Sequence, residues 1–574
     1  MKRFFILLLS LILLLLPILS SCKGAPNTDT PAETSISSSE RLEDVIYKII
    51  SREGCDYTIV YPNDAKGQVA SAMAKIYNKI LSVYGIEVAH GRDSEIAESE
   101  FEILIGLTNR KESQEIHKKL RLGESVITMV GSKLVIIGDD DRTTLSAAAQ
   151  FTELLDSSEI SFAADKEVKN NLIDYPVNQI TINGINVKDY VIAYAPSTAE
   201  SPNYKDCSRV INNRLIDIAG ISLNIIPAEQ ASSYEHVIAV GQSSLFPSEQ
   251  TLASGSYRLG VKNSLIYIDG DTTYTLKSGL KAFADEYFPS DASSDLELEI
   301  TDFEKTETPP SLGRIRLLAI GNSWSDDAFE HLWNILHDAG YEDITLGNLA
   351  KGGATIENHW TLAQNNQAQY KFRLNTNGQW VTGSDDVNLK YGLTYTEWDI
   401  ISLQQATSGG VESYYKNLDN FYNYVNNTAT KSADCKIVWQ MVWALAKGLN
   451  HSSQKLYDYD QAKNYSMIVD ATKKYVDSGD KYEVIIPSGT SIQNMRTSFI
   501  GENLVRDSAH LSLGLGRYLV SMSWYVTLFG GDPDLITWYP TAYDYIGEAE
   551  LAAIREAVTA ADATPFAVTQ SSYR

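Results

Sequence analysis

The sequence predicts an α/β protein: a C-terminal three-layer α/β/α domain built on a parallel sheet, preceded by two tandem small α+β sandwich domains. Three observations lead there. From about Leu312 onward, short apolar runs end at glycine or polar turns and alternate with helical stretches, the rhythm of a parallel sheet with crossover helices. Ahead of that region, one pattern of apolar runs occurs twice. A length of 574 residues calls for several domains.

Residues 1–22, MKRFFILLLSLILLLLPILSSC, combine a basic start with a long Leu/Ile run and read as a secretory signal, not as fold. Leu19-Ser20-Ser21-Cys22 resembles the lipobox of bacterial lipoproteins. That resemblance implies cleavage before Cys22, a lipid anchor on it, and a place on the bacterial cell surface or the outer face of the membrane. A plain transmembrane anchor is the alternative, and it too implies export. Residues 23–40 are rich in Ser, Thr, Pro and Ala and suit a flexible tether. Cys55, Cys207 and Cys435 show no C-x-x-C spacing, so neither zinc nor a redox pair is indicated, and they read as buried small residues. A formal charge of −25 argues against nucleic acid as a partner, which wants a basic patch.

Residues 41–175 and 176–305 form the repeat. Tyr57–Tyr61, a helix near Val69–Tyr84, FEILIG (101–106) and GSKLVIIGDDDRTTL (131–145) correspond to Tyr190–Tyr194, a helix near Arg209–Ala219, HVIAVG (236–241) and NSLIYIDGDTTYTL (263–276). Gly106 answers to Gly241 and Gly138 to Gly270 at nearly the same offset. Each copy reads strand, helix, strand, strand, helix, and loosely resembles the accessory domain ahead of the barrel in chitobiase-like glycoside hydrolases. Asp139-Asp140-Asp141 and Asp269-Gly270-Asp271 lack EF-hand spacing; Asp before Thr-Thr is a good helix N-cap, which is the preferred reading over a calcium site. TETPPS (306–311) supplies a proline break before the third domain, 312–574.

In that domain the apolar run Ile315–Ile320 stops at Gly321-Asn322-Ser323, ahead of a helical stretch from Ala328 to Ala339. A serine at the carboxyl end of a buried strand is either a nucleophile or the cap of the next helix. Far downstream, Asp507 and His510 stand one turn apart in RDSAHLSLGLG, before the apolar segment Tyr518–Phe529. A serine needs a base, and the base needs a carboxylate to fix its tautomer. Further strands are expected at Ile344–Leu349, Tyr395–Leu403, Ile437–Val442 and Tyr482–Ile486, the last leading into the Asp507 loop.

These blocks resemble an SGNH (GDSL-type) hydrolase, and in particular an SGNH-like family whose members open with GNSFS; here the block is GNSWS. The resemblance implies Ser323 as nucleophile, His510 as base and Asp507 as the orienting acid. It further implies an oxyanion hole from the Ser323 amide, a glycine after the second strand (Gly353 of the Gly352-Gly353 pair) and an amide after the third. Where that family has Gly-x-Asn, this chain has Gln404-Gln405, so Gln404 is the first choice of donor and Gln405 the second. The G-x-S-x-G elbow of α/β-hydrolases is absent around Ser323. His359 is weighed as a substrate contact against an ordinary surface histidine, and Trp324, with Trp360, Trp380, Trp398, Trp439 and Trp443, as sugar-stacking rings against core aromatics. Asp326-Asp327 has no histidine-rich ligand set nearby, so a metal hydrolase is disfavoured.

The expected activity is that of an extracytoplasmic serine esterase that removes acetyl or other short acyl groups from a glycan, with no metal or organic cofactor. The second expectation is a catalytically inactive, surface-bound glycan-binding lipoprotein. Transfer of the acyl group to a sugar instead of water would use the same site.

Overall fold

A computed structural model describes residues 45–574 apart from 66, 165, 199–200, 247–251 and 430–433. The expected signal, Cys22 anchor and tether therefore lie outside the described residues.

The two repeats build sheets of the same order. The first sheet runs His90–Arg92, Thr58–Tyr61, Glu102–Ile105, Lys133–Gly138, Glu124–Val130, Glu167–Asn171. The second runs Asn224–Pro227, Tyr190–Tyr194, His236–Val240, Leu265–Gly270, Tyr257–Lys262, Phe303–Glu307. Each sheet is larger than the strand–helix–strand–strand–helix reading. The antiparallel strand before each G-x-x-L-x-I-x-G run and the last edge strand carry alternating or charged residues, which blurred their signal. Gly106 and Gly241 both sit in the left-handed region, at φ +76° and +79°. Capping also follows the repeat. Asp140 and Thr143 form a capping box in the first copy, whereas in the second the N-cap is Thr272, boxed with Thr275, and Asp271 accepts the Thr275 hydroxyl.

In the third domain the strands are β1 (Ile315–Gly321), β2 (Ile344–Ala350), β3 (Tyr370–Asn375), β4 (Trp380–Val387), β5 (Ile400–Gln404), β6 (Lys436–Gln440) and β7 (Ile485–Ile486), in the order β4-β3-β2-β1-β5-β6-β7. Five are parallel; β3 and β4 add an antiparallel edge that the sequence reading missed. The exposed face of β4 (WVTGSDDV) explains the omission, because it lacks an apolar run. β5 begins five residues later than expected, since Trp398 enters the core from a loop and gives its indole N–H to the Gly392 carbonyl.

Helix α1 (Ser323–Phe329) starts directly after β1, five residues earlier than expected, and a second short helix covers Leu332–Asp338. Helix α2 (Leu515–Phe529) is apolar on nearly every face, and accordingly it is buried. It packs against α1 and against α3 (Glu548–Ala563). β1 lies at the centre of the sheet, with β2 on one side and β5 on the other. The direction of winding reverses there, and in open α/β sheets such a switch point, beyond the carboxyl ends of the strands, is where ligands gather.

Candidate active site

Ser323 is the residue at which β1 becomes α1. The capping role that competed for it belongs to its neighbour: the Asn322 side chain accepts the Trp324 N–H at 2.9 Å. Ser323 thus takes the first helical position with its hydroxyl free for other work. That hydroxyl lies 2.8 Å from His510 Nε2.

His510 and Asp507 sit on a loop that follows the helix Ser488–Arg496, rather than directly after β7 as expected. The loop closes on itself by an antiparallel bridge between Val505 and Leu511. Inside it, Asp507 Oδ1 accepts the backbone N–H of Ala509 and of His510, both at 2.8 Å, while Oδ2 faces His510 Nδ1 at 2.9 Å. Partial burial opposes the Asp507 charge, but the two amides and the imidazole outweigh it and bring the carboxyl down to about 2. An ionised carboxylate only accepts, so Nδ1 carries the ring proton and the Nε2 lone pair faces the Ser323 hydroxyl. The tautomer a general base needs is therefore set by Asp507.

The loop is pinned to the helix that carries Ser323. Asp327 on α1 is fully buried, and its carboxylate takes the Leu511 N–H at 2.9 Å, Arg506 Nη1 at 3.0 Å and Arg517 Nε at 2.9 Å. From the other side, Trp443 gives its indole N–H to Ala509 O and Ala446 its amide to Ser508 O, both at 2.9 Å. Asp326, its neighbour, pairs with Arg373 and Asn348. Sequence reasoning did not single out Asn322, Arg506 or Arg517, and it weighed Asp327 only as a metal ligand. The Asn beside the serine and the Arg beside Asp507 were visible, but they meet partners elsewhere in the chain, Ala354 and Gln404 for Asn322 and Asp327 for Arg506.

Gly353 lies where expected, on the exposed turn after β2, at φ +65°, with open space where a Cβ would stand. The Asn322 amide ties this turn to the serine by donating to Ala354 O at 3.0 Å. Among the described residues, the backbone N–H groups of Ser323 and Gly353 donate to no protein acceptor.

The glutamines behave otherwise than expected of oxyanion donors. Both are buried. Gln404 gives its amide to Asn322 Oδ1 at 3.1 Å, so it orients the residue beside the nucleophile. Gln405 donates to Tyr414 O, and its carbonyl accepts from Ile356 N and Ala406 N, which fixes the loop beyond β5. One extra methylene has turned the amide of each into scaffold.

Two further expectations fail on burial. His359 is neither a substrate contact nor a surface residue: it is fully enclosed, stacked between Tyr370 and Phe421, with Nδ1 2.7 Å from the Tyr370 hydroxyl. Burial pushes its imidazole down to about 3. Trp324 is also in the core, stacked on Trp443 at 4.7 Å between ring centroids. Trp398 and Trp439 are likewise buried, while Trp360 and Trp380 are half-buried and Arg373 covers the Trp380 ring.

Among known families, the one described as Domain of unknown function (DUF4886) matches residues 316–555. A DUF4886 family protein of solved structure, from Bacteroides uniformis, is 34% identical over 45% of this chain and 98% of its own, with a TM-score of 0.42. A candidate SGNH hydrolase from Slackia heliotrinireducens is similar at 16% identity, over 38% of this chain and all (100%) of its own, with a TM-score of 0.26. An alpha/beta hydrolase enzyme from the metagenome of Lake Arreo, Spain, is similar at 12% identity, over 38% and 95%, with a TM-score of 0.26. No curated protein matches the chain.

Proposed function

We propose that this chain, whose residues 316–555 match the DUF4886 family, is a serine hydrolase of ester bonds. The single observation that carries the reading is the unbroken line of polar contacts from Ser323 Oγ through the His510 ring to the ionised Asp507 carboxylate. In this reading His510 Nε2 takes the hydroxyl proton as Ser323 Oγ attacks an ester carbonyl. The proton then passes to the leaving alcohol. Water, deprotonated by the same nitrogen, releases the acid. In this reading the unengaged amides of Ser323 and Gly353 donate to the oxyanion, a two-donor hole without the glutamine side chains.

The substrate we favour is an O-acetylated or otherwise short-acylated glycan outside the cytoplasm, met by a chain anchored through a lipid on Cys22. The lipobox-like block supports an extracytoplasmic place, and the exposed Gly352-Gly353 turn, with no side chain over it, leaves the backbone open to an approaching substrate. Engagement of Gln404 and Gln405 elsewhere favours a second reading, a glycan-binding protein without turnover. The intact serine, histidine and aspartate geometry weighs against it.

Release of p-nitrophenol from p-nitrophenyl acetate, and of acetate from acetylated xylan, by the chain and by its Ser323→Ala variant tests the proposal. Turnover that disappears with Ser323 supports the serine mechanism. Equal background rates would move the assignment to binding.

A further inference from the structure

A cleft of about 1420 Å³ lies away from Ser323, and none of its lining residues belongs to the triad. Its walls come from all three units: Asp139, Asp140 and Arg142 from the first repeat, Lys188 from the second, and Tyr545 and Glu550 from the C-terminal domain. The walls are pinned to each other. Leu122 N donates to Gly220 O at 2.8 Å across the two repeats, and Arg209 pairs with Glu548 at 2.6 Å. Arg142 lies over the Phe499 ring at 4.4 Å and donates to the carbonyl of Arg574. The cleft is thus a preformed feature of the three-part assembly.

We propose that this cleft is a second carbohydrate site that holds a neutral or N- or O-acylated oligosaccharide. It rests on the reading of a glycan as substrate and extends it to polymer capture at a distance from the ester. Sugar recognition calls for a flat apolar ring beside groups that both give and accept hydrogen bonds. Tyr545 is 85% exposed at the cleft although its hydroxyl end lies over Gly547. Arg142 Nε faces the Asp140 carboxylate at 3.6 Å, and its Nη2 makes no hydrogen bond within the protein. Burial raises Asp139 to about 7, so this carboxyl is partly protonated near neutrality and can donate as well as accept, and burial also raises Glu550 above the ordinary carboxylate range. Acidic side chains outnumber Lys and Arg along the walls, which disfavours a polyuronate.

The cleft is also tied to the catalytic loop. Asp544, next to Tyr545, accepts the N–H groups of Gly514 and Leu515 at 3.0 and 2.8 Å, just beyond His510.

Titration calorimetry on the full chain carrying Ser323→Ala, with xylohexaose, mannohexaose, N-acetylchitohexaose and hexagalacturonate, tests this. At least one of the three uncharged oligomers should bind, Tyr545→Ala should weaken it by about tenfold, and hexagalacturonate should not bind. With Ser323 present, Tyr545→Ala should leave p-nitrophenyl acetate turnover unchanged. The proposal is overturned if none of the uncharged oligomers binds, if Tyr545→Ala has no effect on binding, or if hexagalacturonate binds equally well. Loss of p-nitrophenyl acetate turnover in the parent chain would count against the serine mechanism alone, because binding is read on a protein that lacks the nucleophile.

Discussion

The carboxylate of Asp327, four residues beyond Ser323, accepts the backbone N–H of Leu511, the residue after His510, at 2.9 Å. Ser323 and His510 come from distant parts of the chain, and this buried bond ties the His510 loop to the helix that carries Ser323. Two arginines, Arg506 and Arg517, neutralise the same carboxylate.

Asp327→Ala should therefore harm both stability and catalysis. It would leave two guanidinium groups without their buried partner, a loss of about 3–5 kcal/mol, and would free the His510 loop. Asp327→Asn keeps an acceptor for Leu511 and should retain more of kcat than the alanine variant at equal KM. Urea unfolding and p-nitrophenyl acetate kinetics on both variants check this.

Gln404→Ala distinguishes scaffold from oxyanion donor. Loss of a direct donor lowers kcat by about 10²–10³. Because Gln404 reaches the site only through Asn322, a drop nearer tenfold is expected, together with a measurable fall in stability. A drop of the full size would restore the direct role.

His359 gives a pH-dependent prediction. The unfolded imidazole titrates near the ordinary value of about 6.5, whereas the folded one is held neutral down to about 3. Unfolding therefore takes up a proton between these values, so the stability that the buried neutral ring supports is complete above about 6.5 and is lost as pH falls towards 3. The slope is about 1.4 kcal/mol per pH unit for one proton. Asp139, at about 7, and Asp534, at about 6, titrate in the opposite sense, since their raised values favour the folded state as pH falls. The quantity to measure is accordingly the difference between the parent and His359→Gln in urea midpoint from pH 7 to pH 4. That difference should shrink with acidification.

The second repeat is locked to the C-terminal domain by buried charge. Arg555 on α3 holds Asp217 with Nε 2.8 Å from its carboxylate, and Arg214 holds Asp534 at 2.6 Å. Arg555→Met should lower stability by about 3 kcal/mol and separate the melting of the two units in calorimetry, with p-nitrophenyl acetate turnover at low temperature unchanged.

The sequence was most legible where chemistry is local. The GNSWS turn after an apolar run, the one-turn spacing of Asp507 and His510, and the paired repeat glycines each carry their meaning within a few residues. What escaped depends on partners far along the chain or on burial. Nothing around Gln404 says that its amide turns inward to Asn322. Nothing in ENHW says that His359 is enclosed by Tyr370 and Phe421. The β3–β4 edge was missed because its outer strand faces solvent and has no apolar rhythm.

The central claim is that Ser323 is an activated nucleophile, and covalent labelling with a fluorophosphonate, read by mass spectrometry of the digested protein, tests it most directly. The account predicts one adduct, on Ser323, that forms rapidly in the parent chain and is nearly abolished by His510→Ala. An unlabelled Ser323, or labelling that is indifferent to His510, would contradict it.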